Sequence, residues 1–277
     1  MRKIDVHIHI GKLLYSRPGL RVRDLLNWMD TQDIEIAWVQ AIENPEEVDY
    51  YVTSERVLRS CRSHADRLIP FCNVDPRRGD PNSFDPLPIL SRFVKRGARG
   101  FGEMLAGLAI DDPRQMKLYA ACQELGLPVL IHIDRYRNWD ALGLPGLEKV
   151  LRTFPNLTVI AHALHWWSEI SADVQDTDRF DYPRRPVVPG GRAEFLLRTY
   201  PNLFADLSAQ SGFNALTRDL NFTPDFLRRN QEKLLFGSDL VFRGQTIPLP
   251  RFLEALPVEK SVLEKIFARN AQKIISV

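Results

Sequence analysis

Short apolar runs alternate with amphipathic stretches along the whole chain, and the alternation predicts its elements. Lys3–Ile8, Ala37–Ile42, Leu68–Val74, Ala98–Met104, Pro128–His132, Thr158–His162, Leu203–Asp206 and Lys233–Phe236 are short and rich in β-branched or aromatic residues, so each reads as a strand. Most are continuous apolar runs, the pattern of parallel strands covered on both faces. Helical spacing fills the gaps at Arg23–Gln32, Pro45–Ala65, Leu87–Arg96, Pro113–Leu125, Leu144–Phe154 and Gly191–Tyr200. Val48, Val52, Val57 and Leu58 supply the apolar positions of the second. Gly97 and Gly126 stand where two of these helices should stop. A joint of the form (F/Y)-P-N-L closes a helix and opens a strand twice, at Phe154–Leu157 and Tyr200–Leu203.

Eight strands alternating with helices predict an α/β chain of the (β/α)₈ TIM-barrel class, over residues 1–277 as one barrel. An open doubly wound sheet is the competing architecture. It predicts a glycine-rich phosphate turn, and no G-x-G-x-x-G is present. Residues 165–191 break the rhythm with Trp166, Trp167 and three prolines. The segment is too long for an ordinary βα loop and is expected to cover the catalytic face.

Composition narrows the partners. The chain has 277 residues, 44% of them hydrophobic, and a net charge of +2 with no long run of one sign. That balance gives no support for nucleic-acid binding. No signal-peptide pattern and no membrane-spanning apolar run is present. Cys61, Cys72 and Cys122 are widely spaced and form no C-x-x-C pair. They read as buried thiols in a reducing cytoplasm. A small-molecule substrate is expected, and homo-oligomeric assembly stays open.

The chemistry lies at the strand ends. His7 and His9 alternate at the end of the first strand, so both imidazoles face one way. A buried histidine pair is the bland alternative to a metal site. Later strand-like segments end in or just before Glu103, His132, His162 and Asp239. Four of the six histidines therefore sit at strand ends, with His64 and His165 as the exceptions. In a barrel those ends meet at one rim. Imidazole and carboxylate together suit Zn²⁺, Mn²⁺, Fe²⁺ or a similar divalent ion.

D-V-H-I-H at the start, I-H, A-H and G-S-D after later strands, and the Asn270-Ala271 pair in the last helix resemble the metal-dependent amidohydrolase superfamily. The nearest branches are the amidohydrolase-2 group, which includes aromatic-acid decarboxylases, and the TatD-like nucleases. The resemblance implies His7 and His9 at a first metal, with Asp239 as a further ligand or a proton carrier. It implies His132 as a ligand and His162 as a second-metal ligand or a group that polarises the substrate. Glu103 would bridge two ions; pairing with Arg99 or another base is its alternative. The resemblance allows one ion or two, with Zn²⁺ first. Leu240-Val241-Phe242 follow Asp239 where the family often has a proline.

The expected reaction is hydrolysis of an ester, lactone or amide bond in a small anionic molecule by a metal-activated water. Non-oxidative decarboxylation of an aromatic or unsaturated acid and TatD-like phosphodiester hydrolysis are the alternatives. Asp239 would move the proton and His162 would polarise the substrate. Arg135 and Arg137, just after His132, are candidate binders of a substrate anion, and Arg243 is a weaker one. Trp139, Trp166 and Trp167 could form a flat wall, though packing is the commoner use of such residues. Asp5 and Ser238 could orient ligands; backbone satisfaction is the alternative for Asp5.

Overall fold

The computed structural model describes residues 1–43, 46, 50–80 and 83–276. Eight parallel strands form one sheet in sequential order: β1 Lys3–Ile8, β2 Ile34–Val39, β3 Leu68–Cys72, β4 Gly100–Met104, β5 Val129–His132, β6 Val159–His162, β7 Leu203–Asp206 and β8 Leu234–Leu235. The sheet closes where the chain beyond β8 runs beside β1. Val6 N donates to Phe236 O at 3.0 Å, Asp239 N to His7 O at 2.8 Å and His9 N to Leu240 O at 3.0 Å. The chain is therefore a (β/α)₈ barrel, as the alternation of elements predicts.

The helices follow in chain order: α1 Val22–Thr31, α2 Ser54–Cys61, α3 Leu87–Lys95, α4 Pro113–Glu124, α5 Pro145–Thr153, α6 Leu164–Ser168, α7 Arg192–Thr199, α8 Ala209–Thr217, α9 Thr223–Asn230, α10 Leu249–Ala255, α11 Lys260–Glu264 and α12 Asn270–Ile274. A π turn over Lys265–Arg269 joins the last two. The helix expected over Pro45–Ala65 is shorter. It starts at Ser54, where Thr53 caps it by accepting from Arg56 N, and Pro45 and Val48 lie outside the described residues. Gly97 and Gly126 stop α3 and α4 with φ of 106° and 65°, values that favour glycine.

Side chains from non-adjacent strands meet inside the barrel. Trp38 of β2 stacks on Phe71 of β3, and Leu130, Ile160 and Leu235 of β5, β6 and β8 join the same cluster. Leu130 and His132 are two apart on β5, as are Ile160 and His162 on β6. The apolar lumen therefore continues upward into the histidines at the strand ends. The outer strand faces pack on the helices in a larger cluster that includes Val129, Val159, Leu147 and Leu196. Trp166 and Trp167 belong to that cluster rather than to a substrate wall.

Burial pushes the Cys61 thiol up to about 12, and those of Cys72 and Cys122 upward as well; all three are free. No helix among the described residues is long and apolar enough to cross a membrane.

Candidate metal centre

The strand ends bring six of the expected residues to one rim. His7 and His9, both fully buried, turn their Nε2 atoms to within 3.1 Å of each other. Glu103 Oε2 lies 3.4 Å from His7 Nε2 and 3.1 Å from His9 Nε2. Asp239 Oδ1 lies 3.6 and 3.5 Å from the same two nitrogens. Ligands about 2.1 Å from a tetrahedral ion stand about 3.4 Å apart, close to these separations.

The donor chemistry fits a cation. His7 Nδ1 donates to Asp206 Oδ2 at 2.7 Å, which leaves the lone pair of neutral His7 on Nε2. Glu103 Oε2 and Asp239 Oδ1 are buried and without a well-formed hydrogen bond. Lone pairs facing one another out of water need a positive charge among them. A proton serves when no ion is held. Burial alone would lower the His7 imidazole, but the charges of Glu103 and Asp239 and the bond to Asp206 hold it well above its ordinary value. Burial would likewise raise the Glu103 carboxyl, but the charge of His7 and the bond from His132 hold it well below. Metal uptake would release such protons.

Glu103 also faces a second group. Its Oε1 lies 2.8 Å from His132 Nδ1, and ligand atoms of Glu103, His132 and His162 fall within 4.8 Å of one another. His132 Nε2 contacts Asp134 Oδ2 at 2.9 Å. Burial would lower the His132 imidazole, yet bonds to Asp134 and Glu103 outweigh it and raise it to about 10. Glu103 is not paired with Arg99, whose guanidinium reaches Ser276 O instead.

Asp206, the last residue of β7, is the organising carboxylate that sequence reasoning misses. Its Oδ2 accepts from His7 Nδ1 at 2.7 Å, from Ser208 Oγ at 2.5 Å and from His162 Nδ1 at 3.1 Å. Burial opposes ionisation, but the bonds from His162 and His7 hold its carboxyl far below the usual range. The available signal is position, since it ends a strand as the other candidates do. Trp167 Nε1 donates to Asp206 O at 3.0 Å, so α6 braces this strand end. Asp5 Oδ1 accepts from His7 N at 3.0 Å and Ser238 N at 2.9 Å, which is backbone satisfaction rather than ligand orientation.

Gly237 makes the close approach possible. A Cβ there would stand 2.3 Å from Asp206 Oδ1 and 3.0 Å from Ser208 Cβ. Gly237→Ala should therefore cost about 1–3 kcal/mol of stability by overpacking. It should also weaken metal retention by displacing Asp206. Thermal unfolding and metal analysis of this variant check both effects, and an unchanged melting temperature with full metal would contradict the crowding.

Beside these residues lies a cavity of about 540 Å³ lined by His132, His162, Asp239, Arg135, Arg179 and Ser211 among others, with Tyr136, Arg137, Phe180 and Tyr182 at its rim. Arg179, Phe180 and Tyr182 come from the 165–191 segment. Arg179 ties that segment down by donating to Asp140 O at 2.6 Å and to His165 Nδ1 at 2.8 Å. Arg135 packs its guanidinium 4.2 Å from the Tyr136 ring centroid and 5.1 Å from that of Phe180. Arg137 is held by Asp134 at 2.8 Å. Arg243 is exposed and outside this lining, and Trp139 is also exposed rather than a cavity wall. Tyr50, which no sequence pattern singles out, sets its ring 5.7 Å from that of His9. Burial and the charges of Asp239 and Glu103 push its phenol well above the ordinary value.

The sequence matches the family model described as Amidohydrolase over residues 4–276. No curated protein matches it. Similar solved structures include an uncharacterized TIM-barrel protein from Bordetella bronchiseptica, at 14% identity and a TM-score of 0.71, covering 100% of this chain and 99% of that one. A probable 2-pyrone-4,6-dicarboxylic acid hydrolase from Acinetobacter baumannii aligns at 12% identity and a TM-score of 0.65, with 99% of each chain covered. A 5-carboxyvanillate decarboxylase from Sphingomonas paucimobilis aligns at 14% identity and a TM-score of 0.63, over 100% of this chain and 99% of that one. At these identities the likenesses speak for the fold.

Proposed function

The chain belongs to the amidohydrolase family, and on that premise we propose that it is a metal-dependent hydrolase opening an ester, lactone or amide bond in a small anionic molecule. One observation carries the reading. Glu103 offers one oxygen to the corner of His7, His9 and Asp239 and the other to His132. A carboxylate shared in this way suits one or two divalent ions, and the imidazole and carboxylate donors favour Zn²⁺ over Mn²⁺ or Fe²⁺.

When bound, such an ion supplies Lewis acidity, which makes water acidic enough to ionise near neutral pH and polarises a carbonyl. The chain's own residues do the rest. His7, His9, Glu103 and Asp239 would hold the ion, with His132 and His162 at the second group. Asp239, 19% exposed at its side chain and lining the cavity, takes the proton of the attacking water and returns it to the leaving group. His162 points its Nδ1 at Asp206 and Ser208, which leaves Nε2 to face the substrate or an ion. Arg135, stacked on two rings and without a carboxylate partner among the described residues, binds a substrate anion at the cavity mouth. Arg137 adds positive charge beside it.

The aromatic rim of Tyr136, Phe180 and Tyr182 favours a second reading, decarboxylation of an aromatic acid on the same ligands. Product analysis separates the two. Zn²⁺-reconstituted protein incubated with a panel of carboxylated lactones, esters and aromatic acids is expected to open a lactone or ester without releasing CO₂. CO₂ release with no hydrolysis would establish the second reading. His9→Ala, which removes no hydrogen bond of Asp206, is expected to stay folded, lose metal and lose turnover. Unfolding of His9→Ala would favour a structural histidine pair.

A further inference from the structure

The cavity has a polar wall that the metal ligands do not use. α8 begins there, and its N-cap is Ser208, a residue type that usually accepts a first-turn N–H. Here the hydroxyl is turned away. It donates to Asp206 Oδ2 at 2.5 Å and lies 3.1 Å from His162 Nδ1. The first helix amide to reach a carbonyl is Gly212 N, on Ser208 O at 3.2 Å. The N–H groups of Ala209, Gln210 and Ser211 have no acceptor among the described residues. One further donor stands with them. Ser211 is 5% exposed, and its Oγ is buried without a partner. Ala209 and Ser211 line the same cavity as His162 and Asp239.

Unsatisfied amides at a helix start carry partial positive charge and point at whatever occupies the space in front of them. A buried hydroxyl beside them costs free energy unless something pairs with it. We propose that this end of α8 binds a carboxylate of the substrate, with Ser211 Oγ–H and the first-turn amides as donors. The inference rests on the hydrolase reading for what happens at the other end of the molecule. It adds that the substrate carries a carboxylate held on the β7 side of the rim, separate from any anion held by Arg135 on the β5 side. Asp239 shares the cavity and repels anions, so binding at α8 gains from a cation at the ligand corner.

Isothermal titration of Zn²⁺-loaded protein with isophthalate and with benzoate tests this. The wild type is expected to bind isophthalate the more tightly, because its second carboxylate reaches α8. Ser211→Ala should weaken isophthalate about tenfold, the loss of one hydrogen bond to a charged group. Ser211→Asp, which places a negative charge at the helix end, should abolish the preference, with zinc content and circular dichroism unchanged. A Ser211→Asp protein that keeps zinc and the wild-type preference overturns the proposal, as does a wild type without preference. Chelated protein separates the two claims. Isophthalate preference that is weaker but present after chelation, and absent in Ser211→Asp, supports the helix site; a protein that takes up no zinc on reconstitution yet shows the same Ser211-dependent preference counts against the metal reading alone.

Discussion

Asp239→Asn is expected to lower turnover by about 10²–10⁴-fold, the usual loss for a positioned acid–base group. The substitution keeps the shape, and an amide oxygen can still coordinate. Metal content should therefore fall only modestly. The backbone that places the group is independent of its side chain, since Asp239 N donates to His7 O at 2.8 Å. Steady-state kinetics on metal-replete protein make the measurement. Near-normal turnover would remove the proton-carrier role and leave Asp239 as a ligand only, passing that role to His162 or Glu103.

Asp206→Asn is expected to lower metal affinity by about 10–100-fold, although Asp206 is not itself one of the proposed ligands. Its Oδ2 receives His7 Nδ1, His162 Nδ1 and Ser208 Oγ. An amide oxygen in that place carries no full charge to hold the three, and its NH₂, at the Oδ1 position, meets the Ser208 N–H that donates there at 2.9 Å. The bond that fixes the His7 ring with its lone pair on Nε2 is then weaker. Competition with a fluorescent chelator measures the affinity, and circular dichroism controls for folding. A folded Asp206→Asn protein with wild-type affinity would show that the histidines hold their orientation without it.

Much of this arrangement is legible in the sequence because barrel strands are buried on both faces and read as apolar runs. β1, Lys3–Ile8, coincides with its expected span. β2 begins earlier than expected, at Ile34 rather than Ala37, because exposed Glu35 interrupts the apolar run that Ile34 and Ile36 frame. β8 keeps only Leu234–Leu235 of the expected Lys233–Phe236, since the ladder there passes to the stretch that closes on β1. α8 and α9 have no counterpart among the expected helices. Gly212, Asn214 and Thr217 dilute the helical pattern of α8, and α9 is short and starts at Thr223-Pro224.

The site is legible where residue type and strand position coincide, as at His7, His9, His132 and His162. Asp206 satisfies the same criterion, but a lone aspartate at a strand end looks like turn chemistry. Its role appears only when β7 is folded beside β6 and within reach of β1. Tyr50 and Ser211 lie outside the strand-end pattern altogether, and nothing but tertiary packing brings Tyr50 beside His9 and Ser211 to the cavity. Trp166 and Trp167 show the converse, because aromatics in a long irregular segment prove to be core residues, and Trp167 braces the β7 end.

The most direct test of the metal centre is an anomalous-difference map from crystals of protein reconstituted with Zn²⁺ and collected at the zinc edge. A peak is expected within bonding distance, about 2.0–2.2 Å, of His7 Nε2, His9 Nε2, Glu103 Oε2 and Asp239 Oδ1. A fully reconstituted crystal with no peak between these four atoms would contradict it.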